Sequence, residues 1–176
     1  MLLNCHSYYS YKFGTLSIEQ MLSMATNSVK NNPSLTEFHI VGGVHPDRTI
    51  SFYLELIKNL KQKFPHIHIK AFTAQEIVQM CELEGVSISD GLNNLKSVGL
   101  QSMPGGGAEI FNEVTRKKIC PDKISADEWL NVHKTAHKLD IPTNATMLYG
   151  HLETIEGRLE HLNLLRDLQD ETSGFN

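Results

Sequence analysis

The chain has 176 residues, a length typical of one compact domain, and its 16 basic and 20 acidic residues give a formal charge of −4. Hydrophobic residues make up 40% and charged residues 20%, which excludes disordered and collagen-like classes. No basic block would follow a phosphate backbone, and no apolar run approaches the roughly 20 residues that cross a bilayer, so we expect no nucleic-acid or membrane partner. The start MLLNCHSYYSYK lacks signal-peptide architecture, and the three widely spaced cysteines favour reduced thiols, so we expect a cytoplasmic protein.

Segments with helical periodicity alternate with short apolar runs along the whole chain. The apolar runs predict strands at residues 38–41, 67–72, 100–103 and 145–149. The periodic segments predict helices at residues 17–31, 52–64, 73–84, 88–98, 109–118, 125–139 and 156–171. Capping-box pairs set three of the helix starts: Ser17 with Gln20, Thr73 with Glu76, and Ser125 with Glu128.

This alternation predicts an α/β fold made of βαβ units around a parallel sheet. An eight-stranded (β/α) barrel takes about 250 residues and rarely fewer than about 200. Because the chain is shorter, with four predicted strands, we expect a partial barrel. It begins without a strand before the first helix and stops where another strand should follow the last helix, so it resembles the middle of a barrel.

Ligands of parallel α/β folds bind at the carboxyl ends of strands. The first predicted strand ends in the double glycine Gly42 and Gly43, followed by His45, which indicates either a ligand loop or a tight turn with a surface histidine. After the second strand, Thr73 and Glu76 are a helix cap, a role that can coexist with ligand contact.

The later strand ends carry a glycine cluster and two more ionisable residues. MPGGGAE, residues 103–109, includes Gly106 and Glu109 and matches neither GxGxxG nor GxxxxGK[ST], so it favours a ligand loop but not a nucleotide cradle. His151 and Glu153 follow the fourth strand and, with His45, are candidates for an acid/base or metal cluster, although their spacing is not specific to a metal.

Other histidines and the single tryptophan favour structural roles. His133 and His137 form HxxxH on a crossover helix without the glutamate of HExxH, so we expect partly exposed helix histidines and not zinc ligands. His66 and His68 lie at the start of a strand, on the stabilising side of the sheet. Trp129 has the spacing of a core anchor.

Several strand-end sequences, in order, resemble the aminofutalosine synthase family of radical S-adenosylmethionine enzymes, which serves the futalosine route to menaquinone. They are HIVGGVHPD, KAFTAQEI, MPGGGAEIF, NATMLYGHLET and LRDLQDETSGF, and the likeness covers almost the whole chain from about Thr15 to Phe175. Two sister families share the outline: the cyclic dehypoxanthinylfutalosine synthases and the radical subunit of deazaflavin cofactor synthesis. The wording PGGGAEIF and NATMLYGH favours the first family.

The resemblance implies S-adenosylmethionine and a [4Fe–4S] cluster, and transfer of a 5′-deoxyadenosyl radical to the enol ether of 3-[(1-carboxyvinyl)oxy]benzoate. It implies that Gly42 and Gly43 receive the methionine end of the cofactor, beside Thr73 and Glu76. Residues at the open face are assigned to the substrate side without individual roles: His45, Gly106, Glu109, His151 and Glu153.

The chain departs from the family at the cluster motif. CxxxCxxC belongs just before the first helix, where this sequence reads NCHSYYSYKF with Cys5 alone, so Cys5 is the one candidate cluster ligand. Either Cys5 or His6 stands at the place of the last cluster cysteine. We therefore divide the chain into a remnant of the cluster loop, residues 1–16, and the central barrel, residues 17–176, and expect it to be inactive alone because one thiolate cannot replace three.

Three alternatives to aminofutalosine synthesis stay open: a sister radical enzyme, a non-catalytic remnant or binding scaffold, and a metal hydrolase using His45, His151 and Glu153. The expected partners are a small-molecule substrate and, through open sheet edges, other copies of the chain.

Overall fold

The computed structural model describes residues 16–176. Helices and strands alternate over the first half of this region, and helices dominate the second half. In chain order the elements are α1 (Ile18–Asn31), β1 (Glu37–Ile40), α2 (Ile50–Lys63), β2 (His68–Ala71), α3 (Ala74–Glu84), α4 (Ile88–Val98), α5 (Glu113–Ile119), α6 (Ala126–Lys138) and α7 (Ile155–Thr172).

The three predicted capping boxes are confirmed, at the starts of α1, α3 and α6. In each, the N-cap hydroxyl accepts the backbone N–H three residues on, and the Gln or Glu side chain accepts the N–H of the cap residue. The C-terminal side of α3 is set by Gly85, whose φ of 74° closes the helix in the left-handed conformation. Local sequence chemistry thus fixes where the helices beside the sheet begin.

The sheet is parallel, and its neighbours in space follow their order in the chain. Strand β1 pairs with β2 in a register that places Phe38 opposite Ile69. Single parallel bridges extend this order: Lys70 to Ser102, Met103 to Thr143, and Thr143 to Phe175. The described residues therefore form an α/β assembly in which single bridges extend a two-stranded parallel sheet in chain order, the order found in the wall of a (β/α) barrel.

The last two predicted strands are wrong in extent. Residues 100–103 contribute only bridges at Ser102 and Met103, and pairing at the next position comes from Thr143, whereas residues 145–149 are irregular. The physical reason is that this irregular segment is held by other partners. Thr146 Oγ1 donates to the Gly105 carbonyl at 2.5 Å, and the Leu148 N–H donates to the Glu109 carbonyl at 2.8 Å. The predicted helix at 109–118 begins later, at Glu113.

The core lies between the sheet and the helices. Phe38 of β1 meets Phe64 edge-on at 5.4 Å between ring centroids, and Phe111 meets Trp129 of α6 at 5.2 Å. Trp129 is fully buried, as the sequence predicts. Among residues 16–176, none of the helices combines the length and the apolar character needed to cross a membrane.

His133 and His137 are buried, which corrects the expectation of partly exposed helix histidines. Thr143 reaches both rings, its Oγ1 lying 2.7 Å from His133 Nδ1 and 2.8 Å from His137 Nε2. His133 also stacks on Trp129 at 3.7 Å. Burial lowers the pKa of His133 to about 3, with a smaller effect from His137. The pair joins α6 to the Thr143 bridge and is part of the core.

Candidate functional site

The loops that follow the parallel segments meet at one edge of the sheet. The Gly42 N–H donates to Glu76 Oε1 at 2.8 Å, which joins the loop after β1 to the start of α3. A Cβ on Gly106 would lie 2.9 Å from Thr73 Cγ2, so the glycine loop packs against the same helix start. Three of the predicted strand ends are thus adjacent, as expected where carboxyl ends of parallel strands align.

Glu76 is the most buried acidic residue of this edge, with 5% of its surface exposed. Besides Gly42, its carboxylate accepts the N–H and the hydroxyl of Thr73, both at 2.8 Å from Oε2. Burial raises the pKa of Glu76 to about 7, while the bonds from Thr73 and Gly42 act in the opposite direction. The carboxylate therefore ties two loops together and changes charge close to neutral pH.

His45 is buried beside this carboxylate. A small pocket is lined by Gly43, His45, Tyr53 and Glu76, among others. His45 Nδ1 accepts the Asp47 N–H at 2.9 Å, and burial together with the Arg48 charge lowers the pKa of His45. The structure thus brings together Gly42, Gly43, His45, Thr73 and Glu76 of the residues singled out in the sequence.

Backbone packing and backbone conformation explain why residues 105 and 107 are glycines without side chains. A Cβ on Gly105 would lie 2.3 Å from the Asn144 carbonyl oxygen, and Gly107 has a φ of 86°, which strains any residue with a side chain. The sequence predicts that the structure requires residues without side chains in this loop. At Gly105 the reason is that the backbone at Asn144 passes too close for a Cβ atom.

Arg116 contacts the glycine loop through backbone carbonyl groups, and within residues 16–176 it forms no ion pair with a carboxylate. It is 3% exposed. Its guanidinium donates to four carbonyl oxygens, those of Gly107 at 3.0 Å, Ala108 at 2.6 Å, Ile110 at 3.2 Å and Ile124 at 2.5 Å from the nearer nitrogen. The planar guanidinium has five N–H donors, so it can bond to several carbonyl oxygens at once. Arg116 carries no sequence signal for this role, because a lysine- and arginine-rich helix end normally indicates an exposed surface.

Glu109 and the segment after residue 149 lie at later strand ends. Glu109 has a φ of 46° and forms an ion pair with Lys123. Glu153 accepts the N–H groups of Gly150 and His151 and pairs with Arg158, whose Nη2 lies 2.6 Å from Oε1. The bond from Gly150 is the main reason why the pKa of Glu153 is lowered to about 2. His151 Nδ1 also lies 3.0 Å from Glu153 Oε2.

The metal-hydrolase hypothesis is wrong for the described residues. Across residues 16–176, His, Cys, Asp and Glu side chains form no group of three or more that could hold a metal ion, so His45, His151 and Glu153 do not converge. The same finding bears on an iron–sulfur cluster, which needs several thiolates. Cys81 is buried and its pKa is raised to about 11 by burial, and Cys5, the predicted cluster ligand, lies outside the described residues. The residues described therefore do not fit the cluster.

His161 is a second residue that sequence reasoning missed. It is fully buried in α7 and stacks on Phe111 at 3.9 Å. Its Nε2–H donates to the Thr146 carbonyl at 2.9 Å while Nδ1 accepts the Phe111 N–H at 3.2 Å, which requires the neutral ring. A lone histidine in a charged helix carries no sequence signal for this role, which is to join α7 to two loops of the site.

Comparison of the amino-acid sequence with known proteins identifies relatives of this chain. The chain is 53% identical over 143 residues to the aminodeoxyfutalosine synthase of Thermus thermophilus, covering 81% of this chain and 38% of that protein. It is 43% identical over 140 residues to a 5-amino-6-(D-ribitylamino)uracil–L-tyrosine 4-hydroxyphenyl transferase of Methanopyrus kandleri, covering 80% and 38% of the two chains. A transferase of the same name from Methanosarcina barkeri is 42% identical over 160 residues, covering 91% and 42%.

The chain thus spans about two fifths of the length of these curated relatives. The sequence model of the radical S-adenosylmethionine superfamily matches residues 4–165, most of the chain. That match includes the Gly42–Glu76 edge and both later loops of the site. The chain belongs to the radical S-adenosylmethionine superfamily.

Proposed function

We propose that this chain is the S-adenosylmethionine-binding part of an enzyme of the aminodeoxyfutalosine synthase type, with the fold of a partial (β/α) barrel from its second strand to its fifth helix. The observation that carries the choice is the 53% identity to the Thermus thermophilus synthase, against 43% and 42% for the two transferases. The consecutive parallel pairing supports the barrel.

In this proposal the loop at Gly42 and Gly43 receives the amino acid end of S-adenosylmethionine. A bare loop offers backbone N–H and C=O groups to a zwitterion at close range. Glu76 supports it, because its carboxylate holds the Gly42 N–H and the start of α3 at the same time. Thr73 completes the helix cap with Glu76, and we assign it to the part of the site that binds the cofactor.

The substrate side of the proposed site comprises the remaining strand-end residues. His45 shares the small pocket with Gly43 and Glu76. Gly106 packs against Thr73, and Glu109 is placed beside Lys123. His151 and Glu153 form a separate ion-paired loop with Arg158. The proposed substrate is 3-[(1-carboxyvinyl)oxy]benzoate, which would accept a 5′-deoxyadenosyl group.

We propose that the 176 residues alone bind ligands without turnover. Radical chemistry in this superfamily needs a reduced [4Fe–4S] cluster, and the described residues bring no such ligand set together. After anaerobic reconstitution with iron and sulfide and reduction, the chain should yield no 5′-deoxyadenosine. Product above a metal-free control would contradict this part of the proposal.

A second candidate is the tyrosine 4-hydroxyphenyl transferase type. It is favoured by coverage, since one such enzyme of Methanosarcina barkeri aligns with 96% of this chain at 40% identity. A sister synthase of the futalosine route and a non-catalytic scaffold are the further alternatives.

Calorimetric titration of the chain separates these functions without requiring turnover. With S-adenosylmethionine present, 3-[(1-carboxyvinyl)oxy]benzoate should bind and L-tyrosine should not. Binding of tyrosine in preference to the enol ether would favour the transferase. Binding of neither, by a chain that still melts cooperatively, would contradict the proposed synthase.

A further inference from the structure

The sheet has a polar face on the side turned away from the helices. Phe38 and Ile69 point to the helices and are 1% exposed, so the residues alternating with them point the other way. We call these residues, with the serine of the next bridge, the inner-face cluster: Glu37, His39, His68, Lys70 and Ser102. The side chains of Glu37 and His68 are 39% and 37% exposed, so this polar face is accessible to a ligand.

Contacts within the cluster show that four of its members, Glu37, His68, Lys70 and Ser102, share one face, and the strand register places His39 beside Lys70. Glu37 Oε1 lies 3.8 Å from Lys70 Nζ, and its Oε2 lies 4.0 Å from His68 Nε2. His68 Nε2 is 2.7 Å from Ser102 Oγ. One carboxylate is therefore shared between a lysine and a histidine, at ion-pair distance from both. The hydrogen bond of normal length that the described residues show in this cluster joins His68 to Ser102.

Lys70 is incompletely satisfied. Its side chain is 18% exposed, and its separation from Glu37 exceeds hydrogen-bond distance. Among the described residues, Nζ makes no hydrogen bond. The ammonium group, ion-paired with Glu37 at 3.8 Å, therefore keeps N–H donors that an incoming carboxylate could use in place of water.

His39 provides a second, independent observation. Its Nε2 is buried and has no hydrogen-bond partner among the described residues. Burial and the Lys70 charge both lower the pKa of His39, so the ring is neutral near pH 7 and can donate or accept one hydrogen bond. Unsatisfied buried polar atoms are uncommon in native proteins. Here one of them lies on the face that carries the uncommitted lysine.

We propose that the inner-face cluster binds the carboxylate of a small organic acid, with Lys70 as the cation and His39 as a second polar contact. An ammonium donor paired with a neutral imidazole suits a carboxylate, which accepts from both. The inference rests on the proposed function for its ligand class, because the proposed substrate carries two carboxylates. S-adenosylmethionine carries one carboxylate as well, so the experiment must distinguish the two sources.

The probe is isophthalate, a benzene ring with two carboxylates in the 1,3 arrangement, titrated calorimetrically into the chain beside its neutral diamide. The wild-type chain should bind isophthalate but not isophthalamide. Lys70→Met should weaken isophthalate binding by roughly tenfold or more, and Lys70→Arg should restore part of it because the charge is kept. The matched control is Lys58→Met, which removes an exposed lysine from α2 and should change nothing.

A second variant separates ligand binding from a purely structural pairing. Glu37→Gln removes the carboxylate that competes for Lys70, so isophthalate should bind several-fold more tightly while thermal stability stays the same or falls. If Lys70 served only to neutralise Glu37, this variant would not strengthen binding. S-adenosylmethionine titrated into the same variants forms the other arm and should bind with unchanged affinity.

Four results would overturn the inference: no isophthalate binding by the wild type, unchanged binding by a folded Lys70→Met, weaker binding by Glu37→Gln, or loss of S-adenosylmethionine affinity alone in Lys70→Met. The last would assign the carboxylate to the cofactor. Because isophthalate is neither proposed substrate, a Lys70-dependent signal stands even where the chain fails to discriminate the enol ether from tyrosine.

Discussion

The Glu76 carboxylate accepts the backbone N–H of Gly42 at 2.8 Å, across 34 residues of sequence. This bond joins the loop after β1 to the first turn of α3, and the same carboxylate caps that helix through Thr73. Because one side chain bonds both to the loop after β1 and to the start of α3, it fixes the position of the loop relative to the helix. The double-glycine loop is therefore held in place by a residue that lies outside the loop.

Glu76→Gln should release the Gly42 loop while keeping the helix cap. Glutamine can still accept from Thr73, as it does in ordinary capping boxes, but its amide nitrogen then faces the Gly42 N–H, and two donors cannot bond. We expect S-adenosylmethionine to bind roughly tenfold more weakly. Hydrogen exchange of the Gly42 amide should also become faster.

Calorimetry and amide exchange measured by NMR check this prediction. Glu82→Gln, an exposed position on the same helix, is the control and should leave both unchanged. Unchanged affinity in Glu76→Gln despite faster exchange would show that the loop does not carry the ligand.

Acid should destabilise the protein through His133. Its pKa is about 3 in the folded state against an ordinary value of 6.5, so the unfolded chain takes up the proton first and stability falls as pH drops from 6.5 towards 3. Between pH 6.5 and 4.5 this amounts to about 2 to 3 kcal/mol. Glu76, whose pKa is raised to about 7, acts in the opposite direction between pH 7 and 4.5, so the comparison must be between variants.

Urea denaturation of His133→Phe at several pH values isolates the contribution of this histidine. Phenylalanine keeps the stacking on Trp129 but cannot be protonated, so the variant should lose less stability on acidification than the wild type. His66→Phe, at an exposed position, should retain the wild-type dependence. If the free energy of unfolding changed with pH in the same way for His133→Phe and wild type, His133 would not be the source of the acid sensitivity.

Arg116→Lys should destabilise the glycine loop. A lysine cannot reach four carbonyl oxygens with a planar fork, so buried acceptors would be left without donors, at a cost of about 2 to 4 kcal/mol. The free energy of unfolding in urea measures the loss. Arg166→Lys, in the exposed part of α7, should cost almost nothing, and an equal effect of both changes would argue against the clamp.

The glycines should respond differently to alanine. Gly105→Ala places a Cβ 2.3 Å from the Asn144 carbonyl oxygen, a backbone atom that cannot move alone, so we expect a loss of about 2 kcal/mol or more. Gly157→Ala in α7 meets its nearest atom at 3.5 Å and should be neutral or stabilising by up to about 1 kcal/mol. Thermal unfolding of the two variants tests the contrast, and similar melting temperatures would contradict it.

Local chemistry made most helices predictable. Ser17, Thr73 and Ser125 each start a helix through a bond to a residue three positions away, which is visible in sequence. The strand at 145–149 was not predictable, because Thr146 and Leu148 are bound by the distant loop at residues 105–109. Apolar character favours a strand there, but pairing depends on neighbours that sequence periodicity does not reveal.

The candidate site shows the same division. Gly42, Gly43 and Glu76 could be singled out because they follow predicted strands, yet their bond to each other is a tertiary feature. Arg116 and His161 carried no signal, since a basic residue and a histidine in polar helices normally face solvent. Their burial depends on carbonyl groups and a phenylalanine brought together only by the fold.

Calorimetric titration of Gly43→Val tests most directly whether the Gly42–Gly43 loop of this superfamily member binds S-adenosylmethionine. The wild type should bind, and the valine variant, confirmed as folded by its melting curve, should not, because a side chain at this position removes the close approach to the backbone that the amino acid end of the ligand needs. Lys58→Met should bind as the wild type does. Equal affinity of Gly43→Val and wild type would mean that S-adenosylmethionine does not bind at this loop.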